Sequence, residues 1–288
     1  MTLFLKRAAL IAALSLFSLS ALSQDKNSKS ETYKDLIEKA YNLSLQKDRQ
    51  QALNILTSAL QKERRAPAVA ELKRTIDEIA HVFFSDKAQQ LFESSVSLRK
   101  LDLPQATQKM SEASRIEPDN LTIVNELARL QIAKGECKTA LETLLTQKKL
   151  FPLSEELRLS RAQALACDDK WVEFQKSFDP SGVKKSSLQK FWLALEVERH
   201  FEAKSYAKMQ DTLAILKKLD DKYPEVFYWL WKHDHEQKKP NQEFAQKYVM
   251  TCKNISANQH RQYMIDPMLC RRVAEVEAEL KGMNGTPE

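Results

Sequence analysis

Apolar residues recur three and four positions apart along almost the whole chain, and no stretch longer than a few residues alternates as a β-strand would. Residues at this spacing share one face of an α-helix. The pattern therefore predicts an all-α protein. Glycine and proline punctuate it, as in residues 135–152, where GECKTALETLLTQKKLFP opens with one of only four glycines and closes with a proline.

The helical pattern has a period of 34 residues. Three pairs of similar residues lie 34 positions apart: Pro118 and Pro152, Ala106 and Ala140, and Met110 and Leu144. Small residues where two helices cross let the helices approach closely, while larger residues fill the grooves between them. A repeat of this length is typical of a solenoid built from helix pairs. The alternative is an irregular helical bundle that uses alanines at its contacts by chance.

The best repeat unit, residues 122–152, resembles the tetratricopeptide repeat family. Six of its residues match the pattern of that family: Leu127, Ala128, Gly135, Ala140, Leu144 and Pro152. The resemblance weakens toward both ends of the chain. It implies a right-handed α-α solenoid of stacked antiparallel helix pairs.

The repeat divides the chain into segments. We expect a signal peptide (1–23), a disordered linker (24–32), an N-terminal helical hairpin plus an extra helix (33–86), central repeats (87–178), an insertion loop (179–187), degenerate C-terminal helical repeats (188–281) and a disordered tail (282–288). The extra helix, residues 66–84, either fuses with the next helix or ends at a break capped by Ser85–Asp86.

The N-terminal sequence MTLFLKRAALIAALSLFSLSALSQ has the pattern of an export signal. Lys6 and Arg7 form a basic start, an apolar stretch follows from Ala8, and small residues allow cleavage after Ser23. The apolar stretch is shorter than the roughly twenty residues that span a bilayer. We therefore expect a periplasmic or secreted protein with no membrane span after cleavage. An uncleaved membrane anchor is the alternative.

Composition and motifs argue against several classes of function. The net charge is +6, and charged residues are spread without long blocks of one sign, whereas nucleic-acid binders concentrate basic residues on one face. With four glycines, the chain has neither glycine-rich nucleotide-binding motif. His233 and His235 would point to different faces of a helix and could not bind one metal ion together. We expect no nucleic acid, no cofactor, no metal and no catalytic residues.

Export would place the four cysteines where disulfides persist. Four cysteines allow three pairings, and the sequence alone does not choose among them. The repeat resemblance implies that Cys137 pairs with Cys167, because the start of one second helix would lie beside the end of the next first helix. Similar logic favours Cys252 with Cys270, in a helix that starts at Asp266–Pro267. Free buried cysteines are the alternative.

In tetratricopeptide repeat proteins the first helix of each unit lines a concave groove that holds peptides. By position, this implies partner-binding residues in two consecutive units: Phe92, Val96, Arg99, Thr122, Asn125, Arg129 and Ile132, with Ala133 beside them. Asn125 and Arg129 lie four apart on one helical face, where they could hold a backbone amide and a carboxylate. Decoration of an exposed surface explains both residues equally well.

The most aromatic segment is VFYWLWKH, residues 226–233. One helix face cannot hide Phe227, Tyr228, Trp229 and Trp231 together. Either neighbouring helices surround this helix or one side of it meets a partner. We interpret the segment as core.

Together these observations predict an exported adaptor that binds a partner protein or an extended peptide in the cell envelope. It would act by burying extended chain in a preformed groove, with no covalent chemistry. One alternative is a structural subunit of an envelope complex that uses its edges or its convex face. The other is an enzyme whose site is assembled from scattered residues.

Overall fold

The computed structural model describes residues 32–150, 153–239, 241–256, 259 and 263–284. Within these residues it contains fifteen α-helices, one short 3-10 helix and no β-strand, so the all-α prediction is confirmed there. The predicted signal peptide lies outside the described residues. None of the helices in the described part of the chain has the length and hydrophobicity needed to cross a bilayer.

The helices are named here in chain order: α1 (Tyr33–Leu45), α2 (Arg49–Lys62), α3 (Ala66–His81), α4 (Asp86–Leu98), α5 (Leu103–Ile116), α6 (Leu121–Ala133), α7 (Cys137–Leu145), α8 (Glu155–Cys167), α9 (Trp171–Ser177), α10 (Pro180–Val183), α11 (Gln189–Glu202), α12 (Tyr206–Leu219), α13 (Pro224–Glu236), α14 (Gln242–Lys253) and α15 (Val273–Asn284). The 3-10 helix spans Lys148–Leu150.

Consecutive helices pack as adjacent pairs. The pairs are α1 with α2, α4 with α5, α6 with α7, α8 with α9, α11 with α12, and α13 with α14. The first helices of neighbouring pairs also contact one another, since α6 packs against α8, α8 against α11, and α11 against α13. The extra helix α3 packs against α1, α2 and α6. The described chain is therefore built from helix pairs that contact their neighbours in chain order.

Five of these pairs share one type of turn. Each first helix is followed by a residue with left-handed backbone geometry: Lys47 (φ 64°), Gly135 (φ 80°), Asp169 (φ 54°), Lys204 (φ 52°) and Lys238 (φ 56°). The next N–H then donates to a carbonyl five residues back, as Glu136 does to Gln131 and Ser205 to His200, both at 2.8 Å. This is the hydrogen bonding of a Schellman cap. The last four left-handed residues are 34, 35 and 34 positions apart.

The residues between α3 and α4 settle the question that the sequence leaves open. The chain forms two helices, with Val82 in an extended conformation after α3 and Ser85 capping α4 by accepting a hydrogen bond from the Ala88 N–H at 3.3 Å. The Glu117 carboxylate accepts hydrogen bonds from the N–H groups of Phe84 and Ser85, each at 2.7 Å. The break is therefore held in place by a residue from the connection between α5 and α6.

Arg49, the first residue of α2, is completely buried and anchors this connection. Its guanidinium pairs with Glu117 at 2.7 Å and with Asp119, and it donates to the carbonyl oxygens of Ile79 and Val82. Buried charges are stable only when paired and hydrogen-bonded, and here several partners surround one guanidinium. Arg49 thereby joins α2, the end of α3 and the α5–α6 connection.

Two clusters of buried apolar residues hold the helices together. The smaller one lies between α4, α5 and α6 and contains Ala88, Ala106, Met110, Ala113, Ile123, Leu127 and Leu130. The larger one includes residues from α1 to α15, with Leu121, Ala128 and Ile132 among its members from α6. Helix α6 thus contributes one face to each cluster.

The sulfurs of Cys137, the first residue of α7, and Cys167, the last residue of α8, are bonded, and their Cα atoms are 5.6 Å apart. Cys252 in α14 is bonded to Cys270, with a Cα separation of 5.8 Å. These are the two pairs that the repeat resemblance implies. The helix expected to start at Asp266–Pro267 is wrong.

Helix α15 starts at Val273, seven residues after Asp266. Cys270 has a left-handed backbone, with φ 60°, and its N–H donates to the Glu225 carboxylate at 2.8 Å. A residue in this conformation cannot continue a right-handed helix. The chain from Tyr263 to Arg272 instead forms a series of turns across neighbouring helices.

Two other segments differ in detail from the sequence-based division. The expected insertion loop, residues 179–187, contains the short helix α10, where the Asp179 carboxylate accepts a hydrogen bond from the Ser181 N–H at 3.0 Å. Helix α15 continues to Asn284, into the range expected to be a disordered tail.

The aromatic segment of α13 is mostly core, as the sequence predicts. Tyr228, Trp229 and Trp231 are buried, and Phe227 is half-buried. The Tyr228 ring lies 4.9 Å from that of Trp229 and 5.4 Å from that of Tyr248 on α14, centroid to centroid. Neighbouring helices therefore surround α13, which was the first of the two arrangements considered.

Candidate polypeptide-binding surfaces

The seven partner-binding residues expected from the sequence lie at two helices: Phe92, Val96 and Arg99 at α4, and Thr122, Asn125, Arg129 and Ile132 on α6. Helix α6 is buried along most of its length because α3, α5, α7 and α8 all contact it. Asn125 is 3% exposed and Arg129 is 7% exposed. Both are therefore polar side chains inside the packed structure and are not surface decoration.

Charged side chains form a ladder across α4, α6 and α8. Arg99 pairs with Glu126 at 2.8 Å, and Glu126 lies 3.8 Å from Arg129 on the same helix. Arg129 in turn pairs with Glu156 of α8 at 3.0 Å. The Glu156 side chain is 47% exposed, whereas the other three are at most 10% exposed. The ladder therefore opens to solvent at its α8 end.

Several polar atoms beside this ladder have no hydrogen-bond partner among the described residues. Asn125 donates through Nδ2 to Glu156 at 3.3 Å, but its Oδ1 is buried and unpaired. The Arg129 Nε–H is likewise buried and unpaired. A buried polar group without a partner costs about 1–3 kcal/mol, so each such atom calls for water or a ligand.

The remaining residues of the expected groove have other surroundings. Thr122 Oγ1 lies 2.8 Å from Nδ1 of His81, which ties α6 to α3. Ile132 is buried in the larger apolar cluster. The Phe92 ring packs 5.5 Å from that of Phe83, and Val96 is half-buried on α4. The structure thus brings together Arg99, Asn125 and Arg129, and it places the other four elsewhere.

Helix α8 contributes polar residues that the sequence analysis did not single out. Glu156, Ser160 and Gln163 lie four and three residues apart, which places them on one helical face. Ser160 and Gln163 are almost fully buried, yet Ser160 Oγ and Gln163 Oε1 have no partner in the described part of the chain. Their spacing within a helix otherwise rich in leucine and alanine was the available sequence signal.

A second surface is formed by α8, α11 and α13, and the chain itself covers it. The irregular segment Tyr263–Arg272 lies across these helices. Gln163 of α8 donates to the Ile265 carbonyl oxygen at 3.1 Å, and Tyr263 donates to Asp220 at 2.9 Å. Tyr223, immediately before α13, donates to the Asp266 carboxylate.

The last two residues of this segment are arginines that bind acidic side chains. Arg271 and Arg272 both donate to Glu198 of α11, and Arg272 also pairs with Glu225 of α13 at 3.4 Å. The Arg272 guanidinium lies 4.6 Å and 4.8 Å from the ring centroids of Tyr228 and Trp229. Such cation–π contacts add to the charge attraction at sites shielded from water.

Burial changes the titration of the carboxyl groups beneath the segment. It raises the pKa of Glu225 to about 7, although the Arg272 charge acts in the opposite direction. Burial also raises the pKa of Asp266, against the hydrogen bond from Tyr223. Both carboxyls therefore hold a proton more readily than exposed carboxyls do.

The histidines and acidic residues do not form a metal site in the residues that the structure covers. No group of three His, Cys, Asp or Glu side chains there is placed to hold a metal ion. His233 lies 3.3 Å from Asp234, and His235 lies 3.2 Å from Glu279 of α15. These two histidines serve different local contacts.

The chain matches no known family model, and no curated protein is similar to it. Its function is therefore inferred from the contacts of its own side chains.

Proposed function

We propose that the protein is an exported adaptor, built as a solenoid of degenerate tetratricopeptide-like repeats, that binds an extended polypeptide of a partner in the cell envelope. Three observations support the repeat: adjacent helix pairs, contacts between successive first helices, and left-handed turns 34, 35 and 34 residues apart. Buried alanines such as Ala106, Ala128 and Ala140 stand at helix contacts. In such a solenoid each pair covers the apolar side of its neighbour.

The two disulfides support an envelope location. Disulfides persist in secreted and periplasmic proteins and are rare in reducing compartments. Both cysteine pairs of this chain are bonded. The N-terminal export signal expected from the sequence is the second argument for this location.

The binding surface that we propose is the polar face shared by α4, α6 and α8. One observation carries it: Asn125 Oδ1, Arg129 Nε, Ser160 Oγ and Gln163 Oε1 are buried polar atoms without partners in the described chain. An extended polypeptide presents an N–H and a carbonyl oxygen at every residue, so it can satisfy donors and acceptors of both kinds. The amide oxygens of Asn125 and Gln163 would accept, and Arg129 would donate.

The charge ladder suggests how an acidic group on the partner is accommodated. Arg129 already binds Glu156, whose side chain is about half exposed. A partner carboxylate that approached from the α8 side would replace Glu156 as the ligand of Arg129, and Glu156 would turn into solvent. Arginine suits this exchange because its planar guanidinium holds carboxylates through two hydrogen bonds. Binding would involve no covalent step and no cofactor.

Capture from envelope extract tests the proposal. We expect the chain lacking residues 1–23 to retain a specific partner, and an Asn125→Ala/Arg129→Ala variant to lose it. Arg115→Ala is the matched control, because Arg115 is an exposed arginine on α5. Circular dichroism would establish that the double variant is folded. If folded double variant and wild type capture the same partner equally, the polar face is not the binding surface.

One observation favours a structural subunit as a second candidate. Leu45, Leu101 and Val172 are large apolar residues that are 72–83% exposed, and each lies at or next to a turn within a helix pair. Exposed apolar side chains of this kind can mark an interface. If Leu45→Ser, Leu101→Ser or Val172→Ser abolishes capture while Asn125→Ala/Arg129→Ala does not, the contacts lie at these turns.

A further inference from the structure

The segment Tyr263–Arg272 is held mainly as a ligand would be, through side chains that bind its backbone. Gln163 of α8 donates to the Ile265 carbonyl oxygen at 3.1 Å. The Glu225 carboxylate of α13 accepts a hydrogen bond from the Cys270 N–H at 2.8 Å. Such bonds recognise an irregular polypeptide whatever its side chains, and they are a general means of peptide recognition.

The arginine pair supplies the selectivity that the backbone bonds lack. Glu198 of α11 accepts from both Arg271 and Arg272, and Glu225 pairs with Arg272 at 3.4 Å. Tyr228 and Trp229 place their rings within 5 Å of the Arg272 guanidinium. Two buried carboxyls beside two aromatic rings match an arginine better than a lysine, because the planar guanidinium can bind carboxylates and stack at once.

The segment is tethered and it borders open space. The Cys252–Cys270 bond fixes its end to α14, so its local concentration at the surface stays high. A cavity of about 300 Å³ lies beside it, between Leu103 and Ala133 on one wall and Tyr263 and the disulfide on the other. A competing polypeptide could therefore approach the segment from this side without first unfolding a helix.

Cys270 adopts a conformation that a non-glycine residue rarely takes. Its φ of 60° lies in the left-handed region, which costs on the order of 1 kcal/mol for residues that carry a Cβ. The bound contacts of the segment offset this cost, and release of the segment would relieve it.

We propose that the surface formed by α8, α11 and α13 is a docking site for an irregular polypeptide segment bearing two adjacent arginines. Tyr263–Arg272 is a ligand of this class carried by the chain itself, and a partner segment of the same chemistry displaces it. This inference rests on the proposed function in taking polypeptide binding as the activity. It assigns that activity to residues other than Asn125 and Arg129.

A labelled peptide with the sequence of residues 263–273, carrying Cys270→Ser, tests the site in trans. The full chain with Arg271→Ala/Arg272→Ala keeps both disulfides and removes the two side chains that fill the acidic pocket. We expect this variant to bind the peptide at least about tenfold more tightly than wild type does, because the tethered arginines no longer compete. Fluorescence anisotropy measures both affinities.

Two controls define the result. Arg115→Ala/Lys138→Ala removes two exposed positive charges elsewhere and should behave as wild type. A peptide in which both arginines are alanine should bind the vacated variant at least about tenfold more weakly than the arginine peptide. Equal binding of the two peptides, or equal binding by variant and wild type, would overturn the proposal.

Hydrogen exchange of the wild-type chain gives a second test that needs no variant. A displaceable segment should open locally, so amides of residues 264–272 should exchange at least about tenfold faster than those of α11 and α13. If all three exchange together, the segment is an inseparable part of the core and the proposal fails.

The outcome is separable from that of the proposed function. Failure of either test here leaves partner capture through Arg129 untouched. Conversely, capture that does not depend on Asn125 and Arg129 leaves peptide binding at Glu198 and Glu225 to be judged by its own affinities.

Discussion

Cys137 opens α7 and Cys167 closes α8, and the disulfide between them joins the second helix of one pair to the first helix of the next. The bond closes a loop with a sequence separation of 30 residues. In the loop-entropy description, such a constraint acts mainly by restricting the unfolded chain. The bond therefore stabilises the contact between two neighbouring pairs.

We predict that Cys137→Ser/Cys167→Ser lowers the free energy of unfolding by about 3–4 kcal/mol. Urea unfolding without reductant, followed by circular dichroism, measures the change. Cys252→Ser/Cys270→Ser is the comparison: its loop spans a separation of 18 residues, so its loss should be slightly smaller, about 3 kcal/mol. An unchanged midpoint would mean that the bond restrains nothing in the unfolded chain.

Removing the buried guanidinium of Arg49 should be among the most destabilising single changes. Arg49→Ala would leave the Glu117 carboxylate buried without its cation, and such losses cost about 3–5 kcal/mol. Arg74→Ala is the control, because the Arg74–Glu78 pair is exposed and should contribute less than about 0.5 kcal/mol. Similar losses in the two variants would contradict the anchoring role of Arg49.

Stability should fall as pH rises through the range in which Glu225 ionises. Burial raises the pKa of this carboxyl in the folded chain to about 7, above its ordinary value of 4.5. The folded state therefore binds the proton more tightly, so this stabilisation is complete below pH 4.5 and is lost as pH approaches and passes 7. The difference corresponds to about 3 kcal/mol at most.

Glu225→Gln tests this pH dependence, because the amide cannot ionise and its oxygen can still accept from the Cys270 N–H. Thermal unfolding at pH 5, 6, 7 and 8 should show a smaller decline for the variant than for wild type. Glu117 has the opposite effect: although burial opposes it, hydrogen bonds from Arg49, Asn120 and Phe84 lower its pKa, so its contribution is lost as pH falls. A variant that declines as steeply as wild type between pH 5 and 8 would contradict the assignment.

The recurrent left-handed turn offers a prediction about backbone geometry. Lys204 has φ 52°, so Lys204→Gly should stabilise the chain by up to about 1 kcal/mol, since glycine adopts this conformation without strain. Lys208→Gly, inside α12, should instead destabilise by about 1 kcal/mol. Denaturant midpoints of the two variants should therefore move in opposite directions. A midpoint that falls for both would show that the lysine at position 204 makes compensating contacts.

The helix pairs and the disulfide pairing could be foreseen because they depend on residues close together in the repeat. Cys137, Ala140 and Leu144 hold positions fixed by one helix and its immediate neighbours. A period of 34 residues is visible in the sequence because each pair repeats the same local contacts. The left-handed turns were less visible, since only Gly135 among them is a glycine.

The candidate binding residues were harder to foresee. Asn125 and Arg129 were assigned to an exposed groove, but the burial of α6 depends on α3, α5, α7 and α8 together, and no local pattern encodes all of these contacts. Ser160 and Gln163 were missed for the same reason. Arg49 reads as an ordinary helix-surface arginine until the chain 70 residues away brings Asp119 beside it.

The C-terminal segment shows how a correct local signal can be overridden. Asp266 and Pro267 are typical of a helix start, and the Asp266 carboxylate does accept a hydrogen bond from the Met268 N–H at 2.9 Å. The contacts of Cys270 with Cys252 and of its N–H with Glu225 then hold the chain in turns. Tertiary contacts of this kind outweigh a capping preference of about 1 kcal/mol.

Helix α6 contributes to both apolar clusters, and this has a consequence for how the molecule comes apart. Melting of either cluster would strip one side of α6 and deprive the other cluster of part of its wall. We therefore expect the two ends of the chain to lose their structure in a single all-or-none transition, with α6 as the element that makes them interdependent.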